Sequence, residues 1–279
     1  MKTIKESEKI LNKLITEFNL EEYKDEIFKL SSSTIIFKSS KRDKYENIGN
    51  TRFGGFPDLP EDIDWPISNG KNDKDEKGQF LNFICQINLQ YIAHLNNYLP
   101  KFGLLYFFSG EYYSNPEIKV IYYSGDLNQL VKKEVDNDDI VGGLLSVDII
   151  NNTASKVPMY KAYKVKIENI LTIPDPFLNK IEKSIIAQNK EIKDRYYDLY
   201  HNYYECIKEY TASMFGHFYW EHESKGYDKF LDSLTLLEVT SDSKVNFCFS
   251  DSGILAFSIN EKDLIKKNFK KIYSAVSSS

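Results

Sequence analysis

The chain has few of the residues that build covalent cross-links or metal centres. Its 279 residues include three cysteines and four histidines, and the cysteines form no C-x-x-C pair. An odd, widely spaced set supports neither a disulfide framework nor a four-cysteine zinc site. Cys85 and Cys248 lie within apolar segments, where we expect free thiols packed as small hydrophobic groups. The sequence therefore predicts no metal and no cofactor.

A positive net charge and long apolar runs are also missing. The formal net charge is -5 and the isoelectric point is near 5.6, which argues against a nucleic-acid partner. No segment approaches the roughly 18 apolar residues needed to span a bilayer. The charged N-terminus lacks the apolar centre of a secretory signal. We therefore expect a cytoplasmic protein with no membrane partner.

Several short patterns resemble catalytic or ligand-binding motifs but are incomplete. Gly54-Gly55 lacks the spacing of a phosphate-binding loop, and Ser252 lacks the G-x-S-x-G surroundings of a serine nucleophile. His217 and His222 are followed by no third ligand, which is a weak zinc pattern. No catalytic set can be assembled from these residues. The sequence favours a non-enzymatic protein and leaves catalysis open.

What the chain does contain is one order of segments that occurs twice. Each copy has a Phe-Gly turn, then an apolar strand, then a second apolar strand that begins with glycine. These are Phe53-Gly54, 83–88 and 103–108 in the first copy, and Phe215-Gly216, 234–239 and 253–258 in the second. Two degenerate copies predict two similar units packed around a pseudo-twofold axis.

Residue periodicity predicts the elements that surround these copies. We expect helices at about 3–18, 21–30, 177–211 and 260–267, and further strands at 34–37, 79–88, 117–123, 144–150, 160–167 and 269–276. Segment 41–66 has the glycines and prolines of a loop but also aromatic residues that would anchor it to the body. Segment 69–78 is charged and predicts a mobile excursion.

The predicted fold is a single α+β domain over 1–279. It is a β-rich roll built from two degenerate repeats, with helices at the N-terminus and one long helix between the halves. The expected parts are a helical segment at 1–32, a first half at 33–170, a connecting helix at 171–212 and a second half at 213–279.

Four polar or aromatic residues of the first half are candidate ligand-binding residues: Arg52, Trp65, Gln86 and Asn88. Gln86 and Asn88 share one face of a strand because side chains alternate with a period of two. A buried amide must be hydrogen-bonded, since an unpaired one costs about 1–3 kcal/mol. The partner is either the backbone of the glycine-rich loop, which the amide would fasten to the sheet, or a ligand in a groove between loop and sheet.

Asp242 and Asp251 are the candidate site acids of the second half. Both follow or precede a predicted strand at a turn, where an aspartate commonly bonds its own backbone. The alternative is that they act on a ligand held between the two halves. In that case Asp251 would lie in a concave pocket near Gln86 or Arg52 with a raised pKa.

Several of these segments together resemble the YwqG-like family, a bacterial domain of unknown function. The likeness is carried by Phe53–Pro60, Trp65-Pro66, Cys85–Asn88, Pro100–Phe108, Leu236–Asp242, Asp251-Ser252-Gly253 and Asn260–Phe269. The resemblance implies a β-rich α+β roll with N-terminal helices and two related halves, and it implies no activity. Some members are encoded near toxin–immunity loci. The second half departs from the family pattern at His217, Tyr219, Glu238, Thr240 and Phe249-Ser250.

The leading functional hypothesis is a non-enzymatic protein-interaction module, linked to a bacterial toxin–immunity system. Its partner protein would bind a groove or rim lined by the glycine-rich loop. The alternative is an enzyme, or a binder of a small polar ligand, that uses the cleft between the repeats. A purely structural domain is the third interpretation.

Overall fold

The computed structural model describes residues 3–69, 78–110, 116–136, 140, 158–207, 210–217 and 233–277. The strand predicted at 144–150, His222 and nearly all of the excursion predicted at 69–78 lie outside these residues. In the described part of the chain, no helix is both long enough and apolar enough to cross a lipid bilayer.

Helices frame the two ends and the middle of the chain. They are α1 (Ile4–Glu17), α2 (Lys24–Leu30), α3 (Asn179–Glu182), α4 (Lys190–Ile207) and α5 (Glu261–Ile265). Thr3 and Glu6 form the capping box that the sequence predicts at the start of α1.

The single helix predicted over 177–211 is wrong in its first third. Residues 179–182 form the short α3, Ile185–Gln188 form a 3-10 turn, and the long helix begins only at Lys190. The Asn189 side chain accepts a hydrogen bond from the Glu191 amide at 2.9 Å, which is the bond that starts a new helix. Ile181 and Ile186 are buried, so the apolar pattern here reflects burial of two short turns.

Ten of the strands form one antiparallel sheet in the order β12-β11-β10-β9-β1-β8-β2-β4-β5-β6, and β3 pairs with β7 in a separate pair. The strands are β1 (Ser32–Arg42), β2 (Arg52–Phe53), β3 (Asp58–Pro60), β4 (Asn82–Asn88), β5 (Leu104–Ser109), β6 (Ile118–Tyr123), β7 (Leu130–Lys132), β8 (Tyr163–Thr172), β9 (Ala212–Met214), β10 (Leu234–Thr240), β11 (Ile254–Ile259) and β12 (Ile272–Ser277). The α+β class predicted from the sequence is confirmed.

The sheet curls around the largest apolar core. Phe107 of β5 and Phe257 of β11 come from opposite flanks of the sheet, yet their rings meet at 5.2 Å inside the curl. The outer face is covered in two places. Helices α1 and α4 pack over Ile36 and Ile170 at the centre, and the β3–β7 pair covers the first flank around Tyr106.

The two flanks of the sheet correspond in strand length, order and register. Strands β4 and β10 have seven residues each and pair with the six-residue strands β5 and β11. Strands β4 and β10 each carry a bulge at the third residue, which is Ile84 in β4 and Leu236 in β10. This register makes Glu238 the counterpart of Gln86. The correspondence is what two repeats predict, and a gene duplication as its origin stays a prediction.

The register corrects the expected alignment of the two Phe-Gly turns. Arg52 of β2 lies opposite Gln86, and Ser213 of β9 lies opposite Glu238, the counterpart of Gln86 in β10. Arg52 and Ser213 are therefore equivalent. Two residues further on, Phe215 is the counterpart of Gly54, and each has a φ of 64°. Matching Phe215 with Phe53 is therefore wrong by one residue. The left-handed backbone conformation occurs at the equivalent position in both halves, but only the first half has a glycine there, which adopts it without strain.

Candidate functional site

Arg52, the first candidate, lies at the centre of a closed ion-pair network. Its side chain is fully buried, and its guanidinium group donates to four neighbouring groups. Nε donates to Asp43 at 2.7 Å, and the two terminal nitrogens donate to both carboxylate oxygens of Asp58 at 3.1 and 3.0 Å. They also donate to the Phe56 carbonyl at 2.8 Å and to Asn50 at 3.1 Å. These five hydrogen bonds, all to groups of the protein itself, use the five N–H donors of the guanidinium.

Electrostatics favour the charged forms of Asp43 and Arg52. Burial alone would raise the pKa of Asp43, but hydrogen bonds from Arg52 and Asn50, with the positive charge of Arg52, lower it below its ordinary value. Burial opposes the charge of Arg52 as well, and Asp58 and Asp43 together raise its pKa. The Tyr45 ring stacks on the guanidinium at 4.4 Å. The network thus presents no free group to a ligand.

Gln86 and Asn88 fasten the glycine-rich loop to the sheet. Gln86 accepts from the Asp58 amide at 2.8 Å and donates to the Asn50 carbonyl at 2.8 Å and to the Asp58 carboxylate at 2.6 Å. Asn88 donates to the Gly49 carbonyl at 2.8 Å. Both amides are buried. Of the two alternatives drawn from the sequence, this is the geometry of loop attachment.

Trp65 is the anchor of the loop's second part. It is buried among aromatic rings, including Phe56 at 6.4 Å and Phe108 at 5.7 Å, and its indole nitrogen donates to the Leu81 carbonyl at 2.8 Å. Loop and sheet approach so closely at Gly54 that an added Cβ would lie 2.5 Å from the Lys161 carbonyl oxygen. Four of the six candidates therefore belong to one packed assembly.

The two candidate acids are separated from that assembly and differ in their surroundings. Asp251 is exposed and lines neither of the two cavities described below. Asp242 is half-buried, accepts from the Thr211 hydroxyl at 2.7 Å and accepts from the Lys244 amide at 2.8 Å. The second bond is the turn-capping bond that an aspartate commonly makes.

Asp242 lines a polar cavity of about 860 Å³, which we call the basin. The basin lies beside β9, which has only three residues, whereas its neighbour β1 continues for five residues past the end of their pairing. Its lining consists of Lys38–Lys41, Lys166, Tyr210, Thr211 and Thr240–Lys244. The basin therefore opens between the first half and the second half of the chain.

Most hydroxyl groups of the basin are already engaged. Thr211 gives its proton to Asp242, so the Ser39 hydroxyl at 2.6 Å and the Ser39 amide at 3.0 Å both donate to Thr211. The Ser241 hydroxyl donates to the Gly253 carbonyl at 2.8 Å. Ser243 makes no hydrogen bond within the described residues.

A second cavity, of about 670 Å³, lies where the two edges of the sheet approach each other; we call it the groove. Its walls are 63–67 and Asn69 of the loop, Leu81, Glu117–Ile121 at the start of the edge strand β6, and Phe269, Lys270 and Ile272 at the start of β12. In the described residues β6 pairs only with β5, and β12 only with β11.

Sequence reasoning missed the groups that complete both regions. Asp58 is part of the Phe53–Pro60 motif, but nothing in the sequence shows that it and Asp43 bury an arginine. For the basin, a usable signal was present. Lys164 and Lys166 are two residues apart in β8, and Lys38 and Lys41 lie near the end of β1.

His217 and the cysteines complete the account. In the described part of the chain, no group of three or more His, Cys, Asp or Glu residues could hold a metal ion. Burial, together with the positive charge of Lys180, lowers the pKa of His217 to about 3. Cys85 is buried as expected. The expectation that Cys248 is packed is wrong: it is exposed in a turn, between the inward-facing Phe247 and Phe249.

Comparison with known proteins gives a family without an activity. A family described as a domain of unknown function (DUF1963) matches residues 51–277, which includes both flanks of the sheet, most of the loop and the basin residues other than Lys38–Lys41. No curated protein matches the chain. Because the match covers most of its length, the chain belongs to the DUF1963 family.

Proposed function

We propose that this protein is a non-enzymatic binding module that holds a small polar ligand in the basin. The observation that carries the proposal is the position and lining of that cavity. It opens between the two halves, as the cleft hypothesis requires, and its lining is polar along Ser39–Lys41 and Thr240–Lys244. Pockets with converging polar groups are where small ligands bind.

The state of Asp242 supports binding rather than catalysis. Both of its carboxylate oxygens are engaged, one by the Thr211 hydroxyl and one by the Lys244 amide. Each oxygen keeps a free lone pair, but the described lining supplies no histidine or second carboxylate that could act with Asp242 as an acid–base pair. In the described lining the remaining ionisable side chains are lysines and Tyr210.

The test is to occlude the basin and to follow a ligand from the native host. The purified protein is incubated with a small-molecule extract and analysed by native mass spectrometry. We expect a retained compound that Ser243→Trp abolishes and that the control Lys262→Trp, on the exposed side of α5, keeps. The compound should be recovered chemically unchanged. A product of altered mass would favour the enzyme alternative, and equal retention by both variants would contradict the site.

A protein partner is the second candidate, because the groove provides a different kind of surface. One wall is the aromatic-anchored loop at Ile63–Ile67, and the other is the edge strand β6, whose outer edge pairs with no described strand. An extended segment of a partner can add to such an edge through backbone hydrogen bonds. This places the expected interaction surface beside Trp65 rather than at the buried glycines.

Matched variants test the groove. Ile67 lines it and is 53% exposed, whereas Ile48 is 43% exposed and lies outside it. We expect a partner, captured from the native host and measured by quantitative mass spectrometry, to be lost with Ile67→Asp and retained with Ile48→Asp. Bound partner should also slow amide exchange along β6. Loss of capture with both variants would contradict this candidate.

The remaining expectations concern origin and setting. We infer from the motifs that the chain is a YwqG-like member of its family, that it is a cytoplasmic bacterial protein, and that its two halves arose by duplication. An association with a toxin–immunity system is supported only by the resemblance. A toxin gene beside the gene for this protein would support it, and a metabolic operon would favour the small-ligand function.

A further inference from the structure

The centre of the sheet brings like charges together on one face. Lys38 of β1 lies directly opposite Lys166 of β8, and directly opposite residues of an antiparallel pair share a face. The neighbouring residue Phe37 points into the inner core, so the lysine pair lies on the outer face. Like charges held directly opposite each other destabilise a sheet.

A bulge adds another lysine to this face. The ladder shifts by one residue between Ser39 and Lys41, so that Lys41 lies opposite Lys164. In a regular strand Lys38 and Lys41 would point to opposite faces, because their separation is odd. The extra residue, Ser40, turns Lys41 to the face of Lys38. Bulges commonly re-aim a side chain beside a functional site.

Counter-charges within the protein neutralise only part of this cluster. Lys38 pairs with Glu168 at 2.9 Å, and Lys164 pairs with Glu46 at 3.2 Å. Lys41, Lys166 and Lys244 all line the basin, and none of them makes an ion pair within the described residues.

The polar groups that the basin leaves free are therefore mainly donors. Three ammonium groups, from β1, β8 and the turn after β10, and the Ser243 hydroxyl can each donate. The acceptors of the basin, by contrast, are already engaged by protein donors, as at Asp242. The lining thus carries four lysines against one aspartate, on a chain whose net charge is -5.

We infer that the ligand of the basin is a soluble small molecule that carries a phosphoryl group. Such a group has more than one negative charge and several acceptor oxygens, which match converging ammonium groups. Lysine is a common phosphate ligand and binds phosphate as a point charge, so several ammonium groups can converge on one phosphoryl group. The inference rests on the small-ligand function proposed above and names the ligand class for the same cavity.

The direct probe is inorganic pyrophosphate, titrated calorimetrically into the full chain with the ionic strength held constant by sodium chloride. We expect binding at one site. Lys166→Gln and Lys244→Gln should each weaken it about two- to fivefold, the range for single partly exposed ion pairs. Lys266→Gln, which removes an exposed lysine outside the lining, should leave the affinity unchanged. Asp242→Asn should strengthen binding, because it removes the negative charge of the lining.

Two results would overturn the inference. They are an equal loss with Lys266→Gln and no binding of pyrophosphate; in the latter case binding to phosphatidic-acid vesicles would indicate a lipid headgroup instead of a soluble molecule. The failure of this inference differs from the failure of the proposed function. If the compound lost with Ser243→Trp is neutral, the small-ligand function stands and the phosphoryl assignment falls. If neither pyrophosphate nor any such compound binds, both fall.

Discussion

Removing the buried arginine should strongly destabilise the protein. Arg52→Met replaces a guanidinium that holds both Asp43 and Asp58 with an apolar side chain of similar length. At neutral pH two carboxylates would then stay buried without their cation. Breaking a buried ion pair by removing one partner costs about 3–5 kcal/mol. We expect a loss in that range in the free energy of unfolding.

The assay is urea denaturation at pH 7, followed by tryptophan fluorescence; Trp65, one of the two tryptophans, packs against Phe56 of the network. A matched variant separates charge from shape. Arg52→Met combined with Asp43→Asn and Asp58→Asn removes the stranded charges, and it should recover at least about 1 kcal/mol of the loss. A loss below about 1 kcal/mol for Arg52→Met, or no recovery in the triple variant, would refute the account. Pyrophosphate affinity should be unchanged in both variants wherever they remain folded.

Three further changes test other parts of the structure. Gln86→Leu leaves the backbone groups that it bonds without partners, so unfolding should be easier by about 1–3 kcal/mol per orphaned group, as measured by denaturation. Gly54→Ala should lower the melting temperature, because φ is positive there and the Cβ would meet a carbonyl oxygen; Gly110→Ala, whose nearest contacts are 3.6 Å, is the control and should melt as wild type does. The pKa of His217 is lowered from 6.5 to about 3 in the folded protein, so the unfolded chain binds a proton there more readily than the folded one. The free energy of unfolding therefore falls as the pH falls from about 6.5 towards 3. Between pH 7 and pH 5 its share is about 2 kcal/mol, which His217→Gln should abolish and His94→Gln should not; parallel pH profiles for wild type and His217→Gln would exclude this role.

The sequence predicts the long strands well because their burial repeats locally. In β5 every residue is buried, so the strand appears as a nearly continuous apolar run. Around Cys248 burial alternates instead, with Val245, Phe247 and Phe249 facing inward. This alternation explains the error at Cys248, because the residue between two inward-facing neighbours points out.

The network around Arg52 could not be predicted in the same way. Whether a charged residue is buried depends on partners elsewhere in the chain, here Asp43 and Asp58 on either side of Arg52 in the loop. A residue-by-residue pattern carries no signal for such a match. The amides were identified because Gln86 lies in an apolar strand, where its hydrogen-bonding groups require partners. Their position on the strand was predictable, but the identity of the partner was not.

The two halves diverge at the equivalent positions Arg52 and Ser213, in their short strands. In the first half, Arg52 of the two-residue strand β2 occupies the space beside that strand with its carboxylates. Its counterpart Ser213 has too short a side chain to do the same. Asn88, which bonds the Gly49 carbonyl, corresponds to Thr240, which bonds the equivalent Tyr210 carbonyl at 3.0 Å.

The second half therefore keeps the attachment of strand to loop but lacks the buried cation. The basin opens further along, beside Tyr210 and Thr211, and three of its four lysines, Lys38, Lys41 and Lys166, come from the two central strands. Lys38 and Lys166 are equivalent positions of the two central strands, and they face each other. An approximate twofold axis at the centre of the sheet places equivalent positions of β1 and β8 opposite each other. Lysine at both positions is unfavourable in the isolated chain, where Glu168 pairs with Lys38 alone, and an anion bound between them would relieve the repulsion. The negative charge expected of the ligand thus follows from the approximate symmetry of the sheet together with the lysines at its centre.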